Sequence, residues 1–203
     1  MKLLILGATG RTGQRVVMAA REQGHHVTTF GRRASDTGDR GIVGGFDDPA
    51  FGAEVRAADA VLSCLASSSR SPICSVAAQA AIEADPTVRY LTVAGAGVDR
   101  PEDRKGLPDK AVGLIMRLTV GKMLADRQAE VDMLAASAAR WTALRPPRLT
   151  EGRATGMWRF DFDKPSATWI DRDDLAAAML SALSDDAMIG RAPFVSVRKG
   201  DKT

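Results

Sequence analysis

Residues 1–33 read Met-Lys-Leu-Leu-Ile-Leu-Gly-Ala-Thr-Gly-Arg-Thr-Gly-Gln-Arg-Val-Val-Met-Ala-Ala-Arg-Glu-Gln-Gly-His-His-Val-Thr-Thr-Phe-Gly-Arg-Arg, and the fold follows from this stretch. Leu3 to Leu6 is an apolar run without alternation, the pattern of a parallel strand buried on both faces. Gly7, Gly10 and Gly13 follow at three-residue spacing. Thr12 to Glu22 then predicts a helix, with Val16, Val17, Ala19 and Ala20 on its apolar side and Gly24 placed for a left-handed C-terminal cap. Val27 to Phe30, β-branched and aromatic, predicts a second strand.

A strand, glycine turn, helix and strand within about 30 residues is the setting of a dinucleotide fingerprint. A pyrophosphate needs bare N–H donors, which the first turn of a helix leaves without intrahelical partners. Gly7 lets the chain leave the strand sharply, Gly10 lets phosphate oxygens reach the backbone, and Gly13 lets the helix lie close to the sheet. Thr9 and Thr12 can add hydroxyl donors, and Arg11 positive charge. An NAD site usually carries Asp or Glu at the end of the second strand, on the ribose 2′-OH. Gly31, Arg32 and Arg33 stand there instead, with no carboxylate before Asp36. A planar guanidinium binds phosphate through two donors, so this pair selects NADP(H) unless it is simply a solvated basic loop.

Gly-Ala-Thr-Gly-Arg-Thr-Gly after the first strand, with Gly-Arg-Arg after the second, resembles the atypical short-chain dehydrogenase/reductase group. Within it the chain is similar to the NAD(P)H-binding proteins like NmrA and the biliverdin-IXβ/flavin reductase. The resemblance implies a single doubly wound α/β domain of the Rossmann type over residues 1–203. About residues 150–203 are expected to contribute a small C-terminal substrate cap.

Composition fits one soluble globular domain: 203 residues, 45% hydrophobic and 26% charged, with a net charge of +3. The basic residues are dispersed, so no nucleic-acid partner is expected. Cys64 and Cys74 are too few for a disulfide framework, and His25 and His26 alone give no metal site. The apolar start is too short for a signal peptide or membrane span, so no membrane partner and a cytoplasmic location are expected.

Further along, Ile42 and Val43 predict a third strand, and Asp48-Pro49 opens a helix to about Ala58 with Phe51 and Val55 inward. The resembled group often has Gly-Asp-Val after the third strand, its Asp on adenine. Gly45 beside Phe46 stands here instead, which weakens a coenzyme role for this loop. Ala60 to Leu65 is a fourth strand, followed by the small polar loop Ala66 to Pro72. Leu65 and Ala66 lie at the carboxyl edge of the sheet, where ligands of such folds bind. Cys64 reads as a small buried apolar residue, since no His stands near it in sequence to activate it. Ile73 to Ala84 is a helix, and Val88 to Val93 a fifth strand containing the sole tyrosine, Tyr90.

Ala94-Gly95-Ala96-Gly97 leaves that strand without the Ser many short-chain reductases place there. Ala94 and Gly95 are either a close approach for nicotinamide or a plain flexible exit. Asp99 to Asp109 is a polar loop. A helix from Asp109 carries Ala111, Leu114, Ile115, Leu118 and Leu124 on its apolar side, Gly121 is a candidate break, and a second helix runs to about Ala139. No Tyr-x-x-x-Lys exists, because Leu118 stands four residues before Lys122. In another register Asp126 or Arg127 takes a polar position that the group keeps on this helix.

Trp141 to Leu144 is a sixth strand, and Arg145-Pro146-Pro147 a stiff exit. Arg148 is a candidate for a substrate carboxylate or phosphate, or a surface arginine. Trp158, Phe160 and Phe162 alternate along a strand that suits the border of a substrate cleft, though such a set is more often packing than a flavin-stacking box. Thr168 to Ile170 is a short strand, Asp171 an N-cap for a helix from Arg172 to Ser184, and Pro193 to Val197 a last strand.

The expected function is NADPH-dependent hydride transfer to a conjugated small-molecule acceptor, without a Ser-Tyr-Lys acid. The alternative is a non-catalytic NADP(H) sensor acting through a protein partner. A sugar-nucleotide epimerase is disfavoured by the missing tyrosine and the short C-terminal part.

Overall fold

The computed structural model describes residues 1–198 except 34, 36, 68–71 and 105, and over 107–120 it describes the backbone alone. Six parallel strands form the central sheet: β1 (Lys2–Leu6), β2 (His26–Gly31), β3 (Arg40–Val43), β4 (Ala60–Ser63), β5 (Arg89–Val93) and β6 (Arg140–Leu144), in the order β3-β2-β1-β4-β5-β6. Helices α1 (Arg11–Glu22), α2 (Pro49–Ala57), α3 (Ile73–Ala84), α4 (Leu107–Ala136) and α5 (Arg172–Leu183) cover both faces. Leu3 and Ile5 of β1 pack with Val16 and Val17 of α1 and Met179 of α5, while Leu4 and Leu6 pack with Phe51, Ala77 and Val131 from α2, α3 and α4. Each buried aliphatic side chain contributes roughly 1.5–3 kcal/mol, so a strand apolar on every residue fits only between two helical layers.

Local signals end the helices as the sequence predicts. Gly24 has φ +78° beyond α1, and the Asp48 carboxylate accepts from the Ala50 amide at 2.8 Å ahead of Pro49. At Gly121 the expectation fails, because α4 is one continuous 30-residue helix. A single interior glycine costs about 1 kcal/mol relative to alanine, too little by itself to stop a 30-residue helix. Its expected apolar face at Ala111, Leu114, Ile115 and Leu118 lies outside the described side chains. Asp171 precedes α5 but makes no side-chain cap; its carboxylate accepts from the Thr150 hydroxyl instead.

The C-terminal third splits in two. Helix α5 joins the sheet beside α1; Arg191 then bridges to Thr142 of β6, and Phe194 at the start of β10 (Phe194–Val197) bridges to Arg145 just beyond it. Beyond the carboxyl edge, β7 (Arg148–Thr150) pairs in parallel with β9 (Trp169–Asp171), and β8 (Trp158–Asp161) pairs antiparallel with β10. Trp158 and Phe160 meet edge-on at 5.1 Å and pack, partly buried, against the core cluster that includes α5, while Phe162 is exposed. Those rings cover the flank of a helix that is buried along most of its length.

At the exit of β6, Arg145 is fully buried. It donates to both oxygens of Asp103 at 2.7 Å and to the Ala192 carbonyl at 2.6 Å, with its guanidinium 3.8 Å from the Phe194 ring centroid. This ties the loop after β5 to the end of the sheet. Asp103→Ala leaves that guanidinium buried without its counter-ion and should lower stability by about 3–5 kcal/mol. Urea unfolding measures this, and a loss under about 1 kcal/mol would show the pair to be dispensable.

Candidate functional site

The carboxyl ends of β1, β2 and β4 enclose a cleft of about 240 Å³. It lies where the chain crosses from the β1-β2-β3 half to the β4-β5-β6 half, the switch point at which open α/β sheets bind ligands. Gly7 to Gly10 form its floor, Thr29 to Arg33 and Ser35 one side, Cys64 to Ala66 and Ile73 the other, and Phe46 closes an end.

The glycine turn is set by close backbone approach. Gly7 has φ +76°, and a Cβ there would stand 2.7 Å from the Cys64 carbonyl oxygen, so the turn lies directly against the exit of β4. A Cβ on Gly13 would fall 2.2 Å from the Gly7 carbonyl oxygen, which is why α1 can start so near the strand it follows. Gly10 is the N-cap of α1 in extended conformation, exposed, with only the Gly7 oxygen near its missing Cβ, at 3.2 Å. The cap makes no side-chain hydrogen bond and the first turn holds no acid. This helix end therefore presents its amides and positive dipole to the cleft.

Arg32 and Arg33 are exposed and line the cleft together with Ser35; Asp36 lies outside the described residues. Phe46 packs on Phe30 at 6.3 Å and on Phe51 at 5.0 Å. The loop after β3 thus borders the cleft through an aromatic ring, where the sequence reading expected little. Three consecutive aromatic contacts across β2, this loop and α2 were invisible without the tertiary structure.

The β4 wall is held from behind by α4. Asp126 is buried, and its carboxylate accepts from the Ser67 and Ser75 hydroxyls and from the Cys74 and Ser75 amides at 2.9 and 3.1 Å. Burial alone would raise this carboxyl, but those four donors outweigh it and hold it below its ordinary range. Arg127 donates to the Leu65 carbonyl, to Glu130 at 2.9 Å and to Thr92 at 3.3 Å, and Thr92 also donates to Glu130 at 2.9 Å. Burial dominates at Glu130 and raises its carboxyl despite Arg127. Both candidate registers for this helix are therefore occupied, with Asp126 and Arg127 each reaching the loop. Ser68 to Ser71 of that loop lie outside the described residues.

Gly7, Thr9, Gly10, Arg32, Arg33, Leu65 and Ala66 meet in the cleft. Gly13 supports it from beneath, and Thr12 is half-buried in the first turn of α1. Arg11 points away from the cleft lining, to Glu151 at 3.2 Å, and Glu151 also takes Arg15 at 3.3 Å and Arg172 at 2.7 Å. Ala94 and Gly95 lie at the next strand exit, where their amides donate to Leu144 at 2.8 and 3.4 Å, and Gly95 has φ +93°. Arg148 is exposed at the start of β7, paired in register with Trp169. Burial pushes the Cys64 thiol up to about 12 and the Cys74 thiol to about 11, so neither is a thiolate near neutrality.

Among the described residues no group of three or more His, Cys, Asp or Glu side chains could hold a metal ion, and no helix is long and apolar enough to cross a membrane. A family model for NAD(P)H-binding domains matches residues 7–186. No curated protein matches the sequence. Among solved structures, ChuY, an anaerobillin reductase from Escherichia coli O157:H7, is 18% identical with a TM-score of 0.81 over 100% of both chains. A candidate NADH-flavin reductase from Streptococcus pneumoniae TIGR4 is 23% identical, TM-score 0.78, over 98% of this chain and all of that one. The oxidoreductase ylbE from Lactococcus lactis is 19% identical, TM-score 0.77, over 98% and 92%. At these identities the likeness is one of fold.

Asp126 carries a pH signature. Its folded carboxyl is held below the unfolded value, so its stabilisation is complete above about pH 4 and is lost as pH falls through the folded value. Asp126→Asn should therefore be less stable than the wild type at pH 7, with the gap closing below about pH 4. Thermal unfolding across pH would show a constant gap if the carboxylate had no special role.

Proposed function

The chain belongs to the NAD(P)H-binding family, and from that premise we propose that it is an NADPH-dependent reductase of conjugated small molecules. The observation that carries this reading is the cleft itself, with an uncapped, glycine-bounded helix end facing two arginines at the close of β2. These residues fit the coenzyme: Gly10 is exposed and carries no Cβ to screen the backbone, and the amides of the first turn of α1 are available for a pyrophosphate. Arg32 and Arg33 would hold the 2′-phosphate, Phe46 would pack on the adenine side, and Leu65, Ala66, Ala94 and Gly95 would border the nicotinamide riboside. When bound, the coenzyme supplies the hydride.

The chain's own groups then bind and orient. Tyr90, the sole tyrosine, is fully buried in the sheet, and burial raises its phenol well above the ordinary value. It has no access to the carboxyl edge as a proton donor. An acceptor that delocalises incoming charge, such as a flavin, a quinone or a linear tetrapyrrole, draws its proton from water and needs no such donor. Proximity supplies the rate. Arg148, exposed and in register with Trp169 on the neighbouring strand, would offer such an acceptor a guanidinium. The same buried tyrosine supports a second reading, a non-catalytic NADP(H) sensor whose protein partner distinguishes the oxidised from the reduced coenzyme.

Calorimetry with NADPH and NADH tests the coenzyme. Arg32→Glu with Arg33→Glu should raise the NADPH Kd at least about tenfold and leave NADH little changed. Equal affinity of the wild type for both coenzymes would sink the assignment. NADPH oxidation with flavin, quinone and tetrapyrrole acceptors then separates the readings, because tight binding without turnover leaves only the sensor.

Glu151 competes for Arg11, whose side chain is 73% exposed, and an exposed pair of this kind holds weakly. Glu151→Gln should free that guanidinium for the pyrophosphate and tighten NADPH binding roughly threefold, within the scale of one surface ion pair. Weaker binding in the variant would show that Glu151 instead helps to shape the site.

A further inference from the structure

Asp126 and Arg127 are neighbours on α4, and adjacent helical residues point about 100° apart. Both nevertheless end on one short segment, Leu65 to Ser67, in the β4 wall of the cleft. Strand β4 stops at Ser63, so the Leu65 carbonyl belongs to no strand ladder, and the Arg127 guanidinium takes it. Arg127 is 12% exposed and Glu130 fully buried, a placement whose desolvation cost a pair of apolar residues would avoid. Helix α3 has Pro72 at its N-cap and no side-chain cap of its own, and Asp126 supplies the missing acceptor to Cys74 and Ser75. Arg127 also reaches Thr92 on β5, so one side chain spans two neighbouring strand ends. Polar groups buried at this cost converge on a stretch that the sheet would otherwise leave unsupported, and that stretch borders the cleft.

We propose that Asp126 and Arg127 are positioning residues, which lock the Leu65–Ser67 wall at the spacing from the Gly7–Gly10 floor that the coenzyme requires. The inference rests on the coenzyme reading above and adds that α4 governs affinity without touching the ligand.

The test compares wild type, Arg127→Met, Arg127→Lys and the double variant Arg127→Met/Glu130→Gln by NADPH calorimetry and thermal unfolding. Arg127→Met should raise the NADPH Kd about tenfold, the scale of losing one supporting contact behind a binding wall. It should also unfold at lower temperature, because Glu130 is left buried without a counter-ion. The double variant removes both charges, so its stability should recover while its Kd stays raised. Lysine keeps the charge but cannot reach all three acceptors, Leu65, Thr92 and Glu130, at once, and Arg127→Lys should fall between wild type and Arg127→Met. A Kd that recovers together with stability in the double variant, or that equals the wild-type value in Arg127→Met well below its unfolding temperature, overturns the proposal and makes these residues folding contacts only. Wild type that binds neither NADPH nor NADH overturns the coenzyme reading and this inference with it. Amide exchange at Leu65 to Ser67 in the coenzyme-free protein should speed up in Arg127→Met, and unchanged exchange there overturns the clamp by itself.

Discussion

A side chain on Gly13 would have to share space with the Gly7 carbonyl oxygen, and the rest of the molecule is arranged around that exclusion. Because nothing larger than hydrogen fits, α1 begins within van der Waals reach of the turn that leaves β1. Its free amides are then fixed at the carboxyl edge of the central strand. Gly7 extends the constraint sideways: its own missing Cβ lets the turn lie on the Cys64 carbonyl, which ties the floor of the cleft to the wall supplied by β4. Floor, wall and helix end are thus set by two absent side chains more than by any attractive contact. Hydrophobic burial on the two sheet faces provides the stability against which that geometry is held.

Electrostatics around the cleft divide by depth. At the surface, Arg32 and Arg33 stand exposed on one rim, and Arg11 and Arg15 share Glu151 outside the cleft lining. Such groups are screened and can exchange partners at little cost. Deeper in the molecule, Asp126, Arg127 and Glu130 behind the β4 wall, and Arg145 with Asp103 at the exit of β6, are buried or nearly so and paired. Exchange there would leave a charge uncompensated in a poorly polarisable interior. Loosely held charge faces the solvent where a ligand arrives, and tightly held charge fixes the loops that receive it.

The parts of this arrangement that the sequence announces are those written by neighbours along the chain. Residues 1–33 carry the strand, the glycine spacing, the helix and its Gly24 stop in order, and α3 runs from Ile73 to Ala84 as its composition predicts. Periodicity and turn chemistry are local properties, and they survive folding. What was not legible depends on residues far apart. Phe46 reaches the cleft only because Phe30 and Phe51 hold it there. Asp126 caps a helix that begins 53 residues earlier in the chain, at Ile73. Arg145 reads as part of a proline-stiffened exit until Asp103 is seen against it. Gly121 stands inside α4 for the opposite reason, since one residue's weak local preference is outweighed by the rest of a continuous 30-residue helix. Trp158 and Phe160 were read correctly as one face, but which surface that face meets is decided by α5.

The strand order has a consequence for when the cleft comes into being. Central strand β1 pairs with β2 through a short crossover, but its other partner, β4, enters more than 50 residues later in the chain. Contacts between segments so distant must first meet the entropy of closing a long loop, whereas the β1–β2 pairing closes a shorter one. Since Gly7 rests on the exit of β4, a half-sheet of β1, α1 and β2 has the glycine turn without its opposing wall. A molecule that needs both sides can therefore act only on chains that have completed the sheet. It would slow their unraveling and shift the balance towards them, but it cannot serve as a template on the way there.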